Sequence, residues 1–208
     1  MQIRNTRAAF GAVAKFFHWT TAAAFIGAYL VVYYYMWILD PELPASWPVL
    51  NIHWALGIIA GTLVLPRLVW RLFDVQPDEV PGSRLEHLAA HAAHWALYGL
   101  MIVMPLTGYI GTNGATEFGF FTIPSFRETA LFNAISTTFG MSWEGFEAPV
   151  DAVHHFVGKW VAWFVVLAHV AAALFHHCVR RDEVLIRMLP GKSAKAISDQ
   201  AIRTGEKN

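Results

Sequence analysis

Four stretches of the chain run apolar for about twenty residues or more, the length needed to cross hydrocarbon. They lie at roughly 16–39, 49–72, 85–112 and 150–178. Polar residues gather between these runs rather than alternating within them, so the pattern predicts four membrane-spanning helices. Pro66 and Pro105 fall inside the second and third runs, where neighbouring helices can re-satisfy a kinked backbone. The first run is too long for a signal peptide and lacks a small-residue cleavage site, so it is expected to remain as a span.

The segment 113–149 is too long for a bare turn. Phe118, Phe120, Phe121, Phe126, Phe132 and Trp143 punctuate it. Ser125 and Glu128 have the spacing of a capping box, which predicts a short helix through Phe132 and Ile135. Its apolar character places it at the outer membrane interface. The expected fold is therefore all-α: an integral membrane four-helix bundle with a long outer loop carrying a short interfacial helix. Residues 1–190 form one domain, and 191–208 read as a flexible cytoplasmic tail.

Charge orients this arrangement. Arg4, Arg7 and Lys15 precede the first span, and Arg67, Arg71 and Arg84 flank the second connection. Arg180, Arg181, Arg187, Lys192, Lys195, Arg203 and Lys207 follow the fourth, so thirteen of the fifteen basic residues share one side. The positive-inside rule then puts both termini of this multi-pass arrangement in the cytoplasm. Composition agrees: 56% of residues are hydrophobic and only 14% charged, too apolar for an ordinary soluble domain. Zero formal net charge gives no reason to expect nucleic acid. The single Cys178 excludes an intrachain disulfide and reads as a small buried side chain.

Against this background the ten histidines stand out, because a titratable group in hydrocarbon is costly. Topology gives each a depth. His18 and His169 lie towards the cytoplasm, and His53 and His155 towards the outside. His155 and His169 are fourteen residues apart, so on one α-helix they lie about 40° apart in azimuth and about 21 Å apart along the axis. His154 with His169 is a slightly worse match, about 60° apart. Two facing pairs follow, His18 with His169 and His53 with His155, each suited to ligate a haem iron axially inside a bundle. Two histidines per level make an incomplete zinc site. Gly57, four residues after His53, and Gly158, three after His155, would let a flat macrocycle approach a helix; close helix packing explains either glycine equally well.

The chain resembles the bacterial cytochrome b561 family, the short di-haem type with four transmembrane helices. The resemblance rests on FFHW with His18, NIHWALGI with His53 and Gly57, MPLTGY around Gly108, the His155–His169 spacing, and LAHVAAALFHH followed by LIRMLP. It covers the four spans and leaves the 113–149 loop and the tail unmatched. It implies two b-type haems on iron ligands His18, His53, His155 and His169, the same pairs that depth assigned. It also implies electron transfer to membrane ubiquinone, in some members from superoxide, hence a superoxide:ubiquinone oxidoreductase activity.

The remaining histidines and arginines admit two readings each. His87, His91, His94 and Tyr98 form one stripe on the third helix, with His176 two turns beyond His169. His91, His94 and His176 could form a quinone-head site with proton supply, since imidazole titrates near neutral pH. They could equally bond propionates or headgroups, and a third-helix histidine could replace His18 as ligand. Arg67 and Arg71 would pair with haem propionates or snorkel to phosphates. His154 and His177 read as interfacial. The expected outer loops carry Asp40, Glu42, Glu117, Glu128, Glu144, Glu147 and Asp151 against Arg127 and Lys159, an unfavourable surface for a superoxide anion. A periplasmic electron-donor protein is the alternative: the chain would then be a cytochrome b anchor subunit linking that enzyme to the quinone pool. A haem-free channel or metal carrier is the third class, and an absorption spectrum separates it from both.

Overall fold

The structure is a computed structural model describing residues 2–40 and 42–191. All of the expected tail beyond Gly191 lies outside the described residues. Four long helices dominate: α1 (Ala12–Trp37), α2 (Trp47–Phe73), α3 (Arg84–Ile110) and α5 (Trp143–Arg180), each long and apolar enough to cross a membrane. Between α3 and α5 lie a two-stranded hairpin, β1 (Thr116–Glu117) with β2 (Thr122–Ile123), and a ten-residue helix, α4 (Ala130–Phe139). A last short helix, α6 (Val184–Met188), follows α5. The all-α membrane bundle is as the hydrophobic pattern predicts.

Two local differences have physical causes. The fourth helix starts at Trp143, seven residues before the apolar run at 150, because Ser142 caps it by accepting from the Gly145 amide at 3.1 Å. Glu144 and Glu147 in its first turns hide that start from a hydropathy reading. The short helix is capped by Thr129, whose hydroxyl accepts from the Phe132 amide at 3.2 Å, rather than by Ser125. Ser125 precedes a single 3₁₀ turn, Phe126–Glu128, and its side chain makes no capping bond. Trp143 is buried with Phe126 and Phe132, against Tyr109, Ile110, Ile135 and Phe146, so α4 and the start of α5 share one aromatic core.

Helix α5 is not α-helical throughout. Val157–Val161 and His176–Arg180 are π-helical turns. A π turn takes up one extra residue within an α-helix and so shifts the face presented by everything before it.

The chain divides into two compact units. One comprises residues 2–20, 65–97 and 164–191 of the described chain, the other 21–64 and 98–163. In the second unit the buried positions Ala24, Ala60 and Ala162 are small, as helix contacts in lipid require. In the first, the N-terminal segment is tied to the end of α2. Asp74 accepts from Arg4 Nε at 3.0 Å and from the Asn5 amide at 2.8 Å, and Asn5 Oδ1 accepts from the Gly11 amide at 2.7 Å.

Burial raises the Asp74 pKa, but the bonds from Asn5, Arg4 and Val75 outweigh it, and the net position is below the usual carboxylate range. The sign follows: with a depressed folded pKa, the stability Asp74 contributes is fully present above the ordinary carboxylate pKa and is lost as pH falls through the folded one. Asp74→Ala is expected to cost about 1–3 kcal/mol of local stability. It should abolish that acid dependence, read as faster hydrogen exchange at the Asn5 and Gly11 amides.

Candidate functional site

Each unit brings two imidazoles from different helices close together. In the first, His18 on α1 and His169 on α5 have ring centroids 6.3 Å apart with planes at 54°. In the second, His53 on α2 and His154 on α5 stand 6.4 Å apart at 84°. A metal–imidazole bond of about 2.0 Å and about 1.1 Å from nitrogen to ring centre put two axial rings about 6.2 Å apart, centroid to centroid. Both pairs have that spacing, and rings rotating about a shared axis can take either interplanar angle.

His154 occupies the place expected of His155. His155 is exposed and touches His154 edge-on at 6.2 Å, while His154 is half-buried opposite His53. The cause is the π turn at Val157–Val161. It absorbs one residue and so changes which member of the doublet is turned towards α2. Plain α geometry selects His155, whereas the structure sets His154 opposite His53.

Hydrogen bonds hold both rings of the second pair. His53 Nδ1 lies 2.9 Å from the Ala28 carbonyl, which can only accept, so Nδ1 carries the proton and Nε2 keeps its lone pair. His154 Nδ1 lies 3.0 Å from Thr107 Oγ1. The Thr107 hydroxyl donates to the Val103 carbonyl at 2.6 Å, so its oxygen is left to accept from His154. Gly108, next along α3, lets this helix approach: a Cβ there would stand 3.1 Å from His154 Cε1. Gly57, one turn after His53, faces open space, where an added Cβ meets nothing within 4 Å. Gly158 is different. A Cβ there would meet Met104, and Tyr29 donates to its carbonyl at 2.7 Å, so it serves helix packing.

The first pair has other company. Arg67 Nη2 approaches His18 Nδ1 at 3.4 Å, and His94 stands 5.8 Å from His169 at 64°, closer than axial spacing. Arg71 is within electrostatic reach of His94. Trp70, between the two arginines in sequence, has a buried Nε1 with no acceptor. Two guanidinium groups and an orphaned indole donor on one turn of α2 suit the carboxylates of a bound group.

The expected quinone residues each have a different partner. His94 packs on His169. His91 and His87 both bind Glu79, at 3.4 and 2.9 Å. His176 Nδ1 lies 2.6 Å from Asp182 Oδ2, and Arg180 joins Asp182 to Glu86. Sequence reading missed Thr107, Glu79 and Asp182, because a hydroxyl or carboxylate outside a histidine pattern carries no spacing signal.

A helical membrane bundle whose interior sets imidazoles in facing pairs at axial spacing is built as a membrane cytochrome. Residues 9–191 match the family model described as Prokaryotic cytochrome b561, and the chain belongs to that family. Cytochrome b561 homolog 2 of Escherichia coli (strain K12) is 28% identical over 204 residues, spanning 93% of this chain and 97% of its own. Probable superoxide oxidase CybB of Yersinia pestis is 31% identical over 144 residues, 68% of this chain and 74% of its own. The protein is thus a multi-pass membrane b-type cytochrome acting in electron transfer, with haem b as its cofactor.

Proposed function

We propose that the protein is a di-haem quinone-linked oxidoreductase of the inner membrane. His18 and His169 would hold one haem and His53 and His154 the other, with Gly57 against the second and Arg67 and Arg71 beside the propionates of the first. The observation that carries this is the pair of centroid separations, 6.3 and 6.4 Å, both at axial spacing. Haem iron with an imidazole on each face supplies one-electron, outer-sphere transfer and offers no open position to a substrate. The protein's own part is to fix the rings, exclude other ligands and manage protons.

Both termini are cytoplasmic in this reading, from the thirteen basic residues on one side. The His53–His154 pair then lies towards the outer donor and the His18–His169 pair towards the cytoplasm. Ubiquinone is the acceptor at the cytoplasmic end, and its reduction takes two protons with two electrons. His176 is the residue placed to deliver them. Its Nδ1 is held by Asp182, which leaves Nε2 to pass one proton at a time to the quinone and to be reloaded from the cytoplasm. Superoxide is the named substrate of the Yersinia relative and one candidate donor; a periplasmic donor protein is the other.

The test is anaerobic reduction of the purified protein in nanodiscs by superoxide and, separately, by ubiquinol. Reduction by both, with two haems per chain, is the expected result; a preparation free of haem overturns the reading. His176→Leu is expected to slow exchange with quinone at least about tenfold while leaving the absorption spectrum unchanged. Unchanged quinone kinetics would remove His176 from the site.

A further inference from the structure

We propose that Thr107 is a positioning residue of the outer site, setting the tautomer of His154 and thereby the redox potential there. This rests on His53 and His154 being the outer axial pair. The argument begins with proton counting. A histidine that binds a metal through Nε2 must carry its proton on Nδ1, and an acceptor at Nδ1 both selects that tautomer and makes the ring a stronger donor to the metal. His53 has such an acceptor in the Ala28 carbonyl at 2.9 Å. His154 has Thr107 Oγ1 at 3.0 Å.

A hydroxyl can donate or accept, so Thr107 alone would not fix the tautomer. Its proton, however, is committed to the Val103 carbonyl at 2.6 Å, with the Met104 carbonyl at 3.3 Å on the same side. The back-bond to the helix turns Thr107 into an acceptor only. Gly108 completes the device, because a side chain there would press on the His154 ring at 3.1 Å and turn it off Thr107. Thr107 and Gly108 are adjacent on α3, one supplying the acceptor and the other the room.

The inner pair is built differently. His18 Nδ1 faces a donor, Arg67 Nη2 at 3.4 Å, where His53 and His154 face acceptors. Acceptors at both outer rings raise ligand basicity and favour ferric iron, so Thr107 lowers the potential of the outer site. At His18 the Arg67 donor opposes a proton on Nδ1, so ligation through Nε2 there requires the guanidinium to turn away from the ring.

The experiment is a spectroscopic redox titration, with electron paramagnetic resonance of the oxidised protein, on wild type, Thr107→Val and Thr107→Ser. The difference between wild type and His154→Ala defines the outer signal. Valine keeps the shape of threonine and removes the acceptor. The expected result is an upward shift of the outer midpoint potential, a changed outer resonance and a roughly tenfold or greater loss of outer haem affinity. Serine restores all three, and the inner signal stays put throughout. Loss of the outer haem in the valine variant with retention in the serine variant also supports the proposal.

An unchanged potential and resonance in Thr107→Val would overturn it. Loss of the haem in both variants, or a shift of the inner signal, would also overturn it, since either marks a packing effect. A wild-type protein without an outer haem, or a His154→Ala variant that keeps it, refutes instead the ligand reading on which the proposal rests.

Discussion

Replacing His154 by alanine is expected to remove one of the two proposed haems and leave the other, whereas the same replacement at His155 is expected to leave both. The measurement is haem per chain by the pyridine haemochrome assay on each purified variant. The two residues are neighbours of identical chemistry, so composition and hydropathy cannot separate them. Geometry does: His154 faces His53 at 6.4 Å with its Nδ1 bonded to Thr107, while His155 is exposed. Removing an axial ligand from a site with one imidazole per face takes away half of the protein's coordination, so the effect is loss of occupancy rather than a small shift. The reverse pattern, loss at His155 and retention at His154, would mean that α5 runs as an unbroken α-helix through this region.

The doublet also shows where a sequence stops being legible. The four spans follow from apolar length, and His18, His53 and His169 from depth, because both depend on counting residues along uninterrupted helices. The same counting, at about 100° per residue, selects His155, whereas the structure turns His154 towards His53. A π turn leaves no mark in hydropathy: Val157, Gly158, Lys159, Trp160 and Val161 read like any membrane helix. The start of α5 was hidden for another reason, since Ser142 and the carboxylates after it are helix-start chemistry rather than membrane chemistry. Thr107 was out of reach altogether. MPLTGY stood out as a motif, but that its threonine accepts from His154 depends on where α3 and α5 meet in space.

If two haems are held as proposed, deleting Lys159 is expected to leave both bound, and inserting one alanine between Val165 and Val166 is expected to cost one of them. Both changes alter the chain between His154 and His169 by a single residue, so an argument from length alone predicts the same damage. The π turn breaks the symmetry. It already holds one residue more than an α-helix needs, so removing one lets Val157–Val161 relax into plain α-helix while the faces before and after it keep their relation. Fourteen residues then separate the two histidines, about 40° apart in azimuth and about 21 Å apart along the axis. Lys159 is the residue to remove because its side chain is exposed, with its ammonium over the Trp160 ring at 5.6 Å, and touches neither imidazole pair. The insertion has no such reserve. The segment Ala162–Phe175 is regular α-helix, and an added residue turns one histidine about 100° away from its partner unless a second π turn forms. Haem stoichiometry read against helicity by circular dichroism checks the pair of variants. Loss of a haem on deleting Lys159, in a protein that otherwise folds and keeps its helicity, would show that the π turn is held by its surroundings and does more than absorb a surplus residue.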